Sequence, residues 1–103
     1  MRVVIADDHA VVRQGIRAVL ENIEGLEIVG EAADGERALA LAIEQAPDVV
    51  VLDVTMPGMT GLEVARALRS RGSPARVLVL SMHDEPEYVL EAVRAGADGY
   101  VLK

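Results

Sequence analysis

The 103-residue chain has no cysteine, tryptophan or phenylalanine, a single lysine, and no apolar run long enough to cross a bilayer. Without cysteine there is no disulfide framework, no thiolate metal site and no cysteine nucleophile, which fits a reducing compartment. The opening Met1-Arg2-Val3-Val4-Ile5-Ala6-Asp7-Asp8 meets two acids where a secretory signal would continue its apolar stretch. A cytoplasmic location with no membrane partner is therefore expected. The only aromatics are Tyr88 and Tyr100, so the core must be packed from Val, Leu, Ile, Ala and Met, and no platforms exist for stacking single-stranded nucleic acid. Positive charge is scarce as well. Ten Lys and Arg against seventeen Asp and Glu give a formal charge of −7, which repels phosphate backbones, so no direct nucleic-acid binding is expected.

What is present is a 51% hydrophobic chain with room for one core. Short apolar runs alternate with longer segments whose apolar residues recur at three and four, the pattern of βαβ units. Five strands are predicted: Arg2 to Ala6, Glu27 to Ala32, Asp48 to Asp53, Arg76 to Ser81 and Gly99 to Leu102. Val3-Val4-Ile5, Val49-Val50-Val51-Leu52 and Val77-Leu78-Val79-Leu80 are apolar without alternation, as in strands of a parallel sheet covered on both faces. Four helical faces are read between them: Val12, Ile16, Val19, Leu20 and Ile23; Leu39, Ala42 and Ile43; Leu62, Ala65 and Leu68; Val89, Ala92 and Val93. Gly25, Gly72 and Gly96 fall where helices end on a left-handed residue, and Pro47 stops the second helix. The result is an α/β, doubly wound parallel sheet.

In such a sheet, ligands bind outside the carboxyl ends of the strands. Asp7 and Asp8 follow the first strand, Asp53 closes the third, Ser81 closes the fourth and Lys103 follows the fifth. Carboxylates gathered on one rim repel one another, and a hard divalent cation with oxygen ligands relieves them; Mg²⁺ suits what is expected to be a cluster of Asp with no nearby His or Cys. A carboxylate can also be the nucleophile in phosphoryl transfer, with Ser81 and Lys103 as the non-metal partners of the phosphoryl group. Taken singly, each residue has a plainer reading. Asp7 and Asp8 could cap the first helix, Ser81 could cap a loop, Tyr100 could be a half-buried strand aromatic and Lys103 a solvated charge. His9 and His83 are expected to be surface residues and not ligands.

Together, however, Asp7-Asp8, the stretch from Asp48 through Asp53 and Pro57 to Gly61, Ser81, and the ending Gly96-Ala97-Asp98-Gly99-Tyr100-Val101-Leu102-Lys103 resemble the response-regulator receiver family across the whole chain. The likeness is strongest to its NarL/FixJ-like (LuxR-type) branch. The resemblance implies a flavodoxin-like sheet of order 2-1-3-4-5 and a two-component signalling switch, not an enzyme in the usual sense. It implies Asp53 as phosphoacceptor, Mg²⁺ bound by Asp8, Asp53 and the Thr55 main-chain carbonyl, and Asp7 acting through water. It also implies Ser81 and Lys103 on the phosphoryl group, Tyr100 as the switch aromatic, and Thr55 and His83 as modulators of dephosphorylation. A sensor histidine kinase is the expected partner. A fifth helix and a C-terminal helix-turn-helix output domain controlling transcription are expected beyond Lys103, and the face the fifth helix would cover is expected to promote a homodimer of the shorter chain.

Three rivals share parts of this pattern. A flavodoxin-like FMN module would place a phosphate where Asp7-Asp8-His9-Ala10 puts negative charge. An aspartate-nucleophile phosphatase of the haloacid dehalogenase type expects a second acid two residues past the nucleophile, where this chain has Thr55. A non-phosphorylated interaction domain of receiver shape is the remaining alternative.

Overall fold

The computed structural model describes residues 1–82 and 85–103. Among the described residues nine elements alternate: β1 (Arg2–Ala6), α1 (Ala10–Glu21), β2 (Glu27–Ala32), α2 (Gly35–Gln45), β3 (Val49–Asp53), α3 (Gly61–Ser70), β4 (Arg76–Ser81), α4 (Pro86–Arg94) and β5 (Gly99–Leu102). The strands form one parallel sheet of order β2-β1-β3-β4-β5. The expected third strand starts one residue early: Asp48 instead spends its side chain on the Arg2 backbone N–H, at 2.7 Å, and its carbonyl on the Arg76 N–H.

Alternate residues of the central strands feed two apolar layers. Val4, Ala6, Val50, Leu52, Val77 and Val79 pack under α2 and α3, together with Leu41, Val64 and Leu68. Val3, Ile5, Val51 and Leu80 point the other way, toward Ile16 and Leu20 of α1. Each such side chain contributes about 1.5 to 3 kcal/mol, whereas an exposed ion pair such as Arg66–Glu91, at 3.4 Å, contributes about 0 to 1 kcal/mol. The core therefore holds the fold.

Gly25, Gly72 and Gly96 take positive φ as expected, but α2 ends on Ala46, a non-glycine residue at φ 44°. The helical faces need three corrections. In α2 the buried residues are Gly35, Ala38, Leu41 and Ala42, with Ile43 half exposed, because the face turned to the core runs through these four and Ile43 falls to its side. In α4 only Ala92 is buried, and Val89 and Val93 face solvent. In α1 no residue is fully buried, Val19 is exposed at 64%, and Ile23 lies past the helix end at 47%, since the helix covers only part of its side of the sheet.

Candidate metal centre

The order of strands puts β1 and β3 side by side at the point where the chain reverses its direction of winding, so their carboxyl ends share one rim. Asp7 extends the β1–β2 ladder by one bond, its backbone N–H donating to the Ala32 carbonyl at 3.0 Å, and its side chain is fully buried. The His9 backbone N–H donates to Asp7 Oδ1 at 2.8 Å, and Arg13 Nη1 donates to the Asp7 carbonyl at 2.6 Å, so this turn is pinned from both sides. Asp53 closes β3 with a side chain 5% exposed. Just beyond it the loop returns so tightly that a Cβ on Gly61 would overlap the Asp53 carbonyl, and the Gly61 N–H donates to the Val54 carbonyl at 2.9 Å. Only glycine permits that approach.

Lys103 continues the β4–β5 ladder, its N–H donating to the Ser81 carbonyl at 2.7 Å. Its ammonium lies 2.9 Å from Asp7 Oδ2 and 3.0 Å from Asp53 Oδ2. Two carboxylates thus share one cation, and they titrate apart. Burial pushes Asp7 up, but the His9 N–H and Lys103 outweigh it and hold the carboxyl below its ordinary 3.8. Burial likewise raises Asp53, the Asp7 charge adds to this, and Lys103 does not bring it back to 3.8. For Lys103 burial favours the neutral amine, yet contact with Asp7 and Asp53 wins and its pKa stands above 10.5.

One ammonium does not satisfy three acids. Asp7 Oδ2 and Asp53 Oδ2 are both buried against the Lys103 ammonium, and Asp8 Oδ1 is buried 3.0 Å from His9 Nδ1. Carboxylates that outnumber the one ammonium among them, clustered at a rim, suit a hard divalent cation that keeps some of its waters. One ligand atom from each of Asp7, Asp8, His9 and Asp53 lies within 4.8 Å of the others. The residues present therefore fit Mg²⁺.

The structure brings Asp7, Asp8, Asp53 and Lys103 together. Thr55 is exposed, with its N–H 3.4 Å from Asp53 Oδ1. Ser81 is buried at the end of β4, one residue past Leu80, the register partner of Asp53. Tyr100 is half-buried against the layer under α2 and α3. His83 lies outside the described residues. His9, expected at the surface, has a ring 63% exposed, but its Nδ1 stands among the acids. The available signal was its place directly after Asp7-Asp8.

Residues 3–103 match the response regulator receiver domain family. The chain belongs to that family. Curated relatives include the transcriptional regulatory protein NarL of Mycobacterium tuberculosis, 48% identical over 103 residues that make up all of this chain and 48% of that protein. The nitrate/nitrite response regulator NarP of Escherichia coli is 44% identical over 99% of this chain and 47% of its own length. Among solved structures, the signal receiver domain of NarL from M. tuberculosis superposes with a TM-score of 0.96 at 48% identity, covering 98% of this chain and 82% of that one. The receiver chain thus spans about half the length of the curated relatives it matches. It is a receiver of the NarL type, a signalling module and not a metabolic enzyme. No helix among the described residues is long and apolar enough to cross a membrane.

Proposed function

We propose that this receiver domain is the phosphoacceptor of a two-component system and that Asp53 carries the phosphoryl group. The observation that carries this reading is the buried Asp7–Lys103–Asp53 bridge, two carboxylates on one ammonium with Asp8 beside them. An Asp53 oxygen forms an O–P bond while the P–N bond of a sensor kinase's phosphohistidine breaks, leaving neutral histidine and an acyl phosphate. Asp8, Asp53 and the Thr55 carbonyl would hold Mg²⁺, with Asp7 acting through water. When bound, the ion neutralises charge on the transferring phosphoryl oxygens.

Lys103 is the second cation for that charge, and the Ser81 hydroxyl donates to the phosphoryl group. Tyr100 passes the change outward by moving between inward and outward positions. Thr55 and His83 set the rate of dephosphorylation, so the domain assists its own phosphorylation and its reversal. The half-length match to transcriptional regulators supports a longer cytoplasmic protein with a fifth helix and a C-terminal helix-turn-helix that binds DNA and controls transcription.

Intact mass after incubation with Mg²⁺ and acetyl phosphate tests the acceptor. One phosphoryl group is expected on the parent and none on Asp53→Asn, while Asp8→Ala loses Mg²⁺ affinity and labelling together. An unlabelled parent, or a variant Asp53→Asn labelled like the parent, sinks the assignment.

A further inference from the structure

Of the three acids at the rim, Asp8 is the one that the sheet does not fix. The Asp7 N–H belongs to the β1–β2 ladder and Asp53 closes β3, whereas Asp8 sits in a bend between β1 and α1. Its direction is therefore set by the peptide units on either side of it. One of these is gripped from α1. Arg13 Nη1 donates to the Asp7 carbonyl at 2.6 Å, and that carbonyl shares a peptide plane with the Asp8 N–H.

A guanidinium beside three carboxylates has every electrostatic reason to pair with one of them, yet among the described residues Arg13 makes no ion pair with Asp7, Asp8 or Asp53. Its Nε instead faces Glu31 Oε1 of β2 at 3.4 Å, between side chains 22% and 28% exposed. Arg17, one helical turn further along α1, takes the other oxygen of the same Glu31 and is itself held by Glu21 at 2.6 Å. The charge of Arg13 is thus spent on β2, and another of its donors on a neutral backbone oxygen. Only the planar fork of arginine serves two such partners in fixed directions.

We infer that Arg13 is a positioning residue of the acceptor site: through the Asp7 carbonyl it fixes the Asp7–Asp8 peptide so that the Asp8 carboxylate stays gathered with Asp53, and Glu31 with Arg17 holds Arg13 in place. The inference rests on the proposed reading of Asp8 and Asp53 as the Mg²⁺ site. A positioning role and a purely electrostatic one differ in sign. Deleting a cation next to a site for another cation strengthens binding there, while releasing the peptide behind a metal ligand weakens it.

The test is calorimetric titration of Mg²⁺ into the parent, Arg13→Ala and Arg13→Lys, with NMR of the Asp8 amide in the metal-free proteins, urea unfolding, and labelling by acetyl phosphate across a Mg²⁺ series. Arg13→Ala is expected to bind Mg²⁺ about ten-fold more weakly, as loss of a group behind a metal ligand typically does. Arg13→Lys keeps the charge but not the fork, and is expected to weaken as well. The Asp8 amide nitrogen should shift in both variants before any metal is added. Raising Mg²⁺ about ten-fold should return labelling of Arg13→Ala to the parental rate. Tighter or unchanged Mg²⁺ binding in Arg13→Ala overturns the inference, whatever happens to the unfolding midpoint. If Arg13→Ala does not fold, Arg13→Lys decides, and parental affinity there overturns the inference. A parent that binds Mg²⁺ but takes no phosphoryl group refutes the acceptor reading and leaves this one standing; a parent that binds no Mg²⁺ refutes both.

Discussion

Asp53 is costly where it stands. It is buried beside Asp7, its carboxyl lies above 3.8, and the native state therefore holds a proton more readily than the unfolded chain. Linkage then gives the sign. The penalty is absent below 3.8, grows as pH rises through the raised native value, and is complete above it. Asp7 runs the opposite way, its stabilisation being present above 3.8 and lost as pH falls through its lowered native value. Without metal, Asp53→Asn should be more stable than the parent near neutral pH by on the order of 1 kcal/mol, a gain that shrinks in acid. Urea unfolding at several pH values measures it; an advantage independent of pH, or a loss, would mean that Lys103 already compensates the charge.

At the scale of elements, two ends of helices that flank the loop and the core make separate forecasts. Thr60 accepts from the Glu63 N–H at 3.2 Å while Glu63 Oε1 accepts from the Thr60 N–H at 3.0 Å, a reciprocal cap on α3 next to the loop that carries Thr55. Thr60→Ala is expected to lower stability by about 1 kcal/mol in denaturant unfolding. Ala46 ends α2 in the left-handed region at φ 44°, a conformation that costs an L-residue roughly 1 to 2 kcal/mol, more than the entropy glycine adds to the unfolded chain. Ala46→Gly should therefore stabilise the domain by a few tenths to about 1 kcal/mol. The first of these motifs is readable in Thr60-Gly61-Leu62-Glu63; the second is not, because nothing in Ala46-Pro47 distinguishes a left-handed alanine from a loop residue.

For the whole molecule, the side of the sheet under α1 is the uneven one. A groove of about 540 Å³ runs between α1 and β4, lined by Val12, Ile16, Val19, Leu20, Leu80 and Met82. Met82 is 74% exposed and, with Val19 and with Val101, the register partner of Leu80, adds apolar surface on this side of the sheet. Covering even 200 Å² of it is worth about 5 kcal/mol at 25 cal/mol per Å². The 103-residue chain should self-associate at rising concentration, and a longer chain carrying the proposed fifth helix should be monomeric and melt higher. Light scattering paired with thermal unfolding checks both. A strictly monomeric short chain with the melting point of the longer one would show that the groove is not what drives association.

By itself the sequence determined the number and type of elements, the parallel sheet and four residues of the rim, Asp7, Asp8, Asp53 and Lys103. Uninterrupted Val and Leu runs leave little other than doubly covered strands, and strand ends are where chemistry gathers in such sheets. The tertiary structure decided what depends on through-space distance. It buried Asp7 and Asp53 around one ammonium but gave Asp7 the His9 N–H and set Asp53 against burial and the Asp7 charge, which moves two chemically identical carboxyls in opposite directions. It turned an exposed imidazole onto the same acids, though periodicity and burial both mark His9 as an ordinary surface residue. It also chose Ala38 and Leu41 over Ile43 for the core, because Leu39, Ala42 and Ile43 are equally compatible with helical spacing and only docking against the sheet decides which face of α2 turns inward.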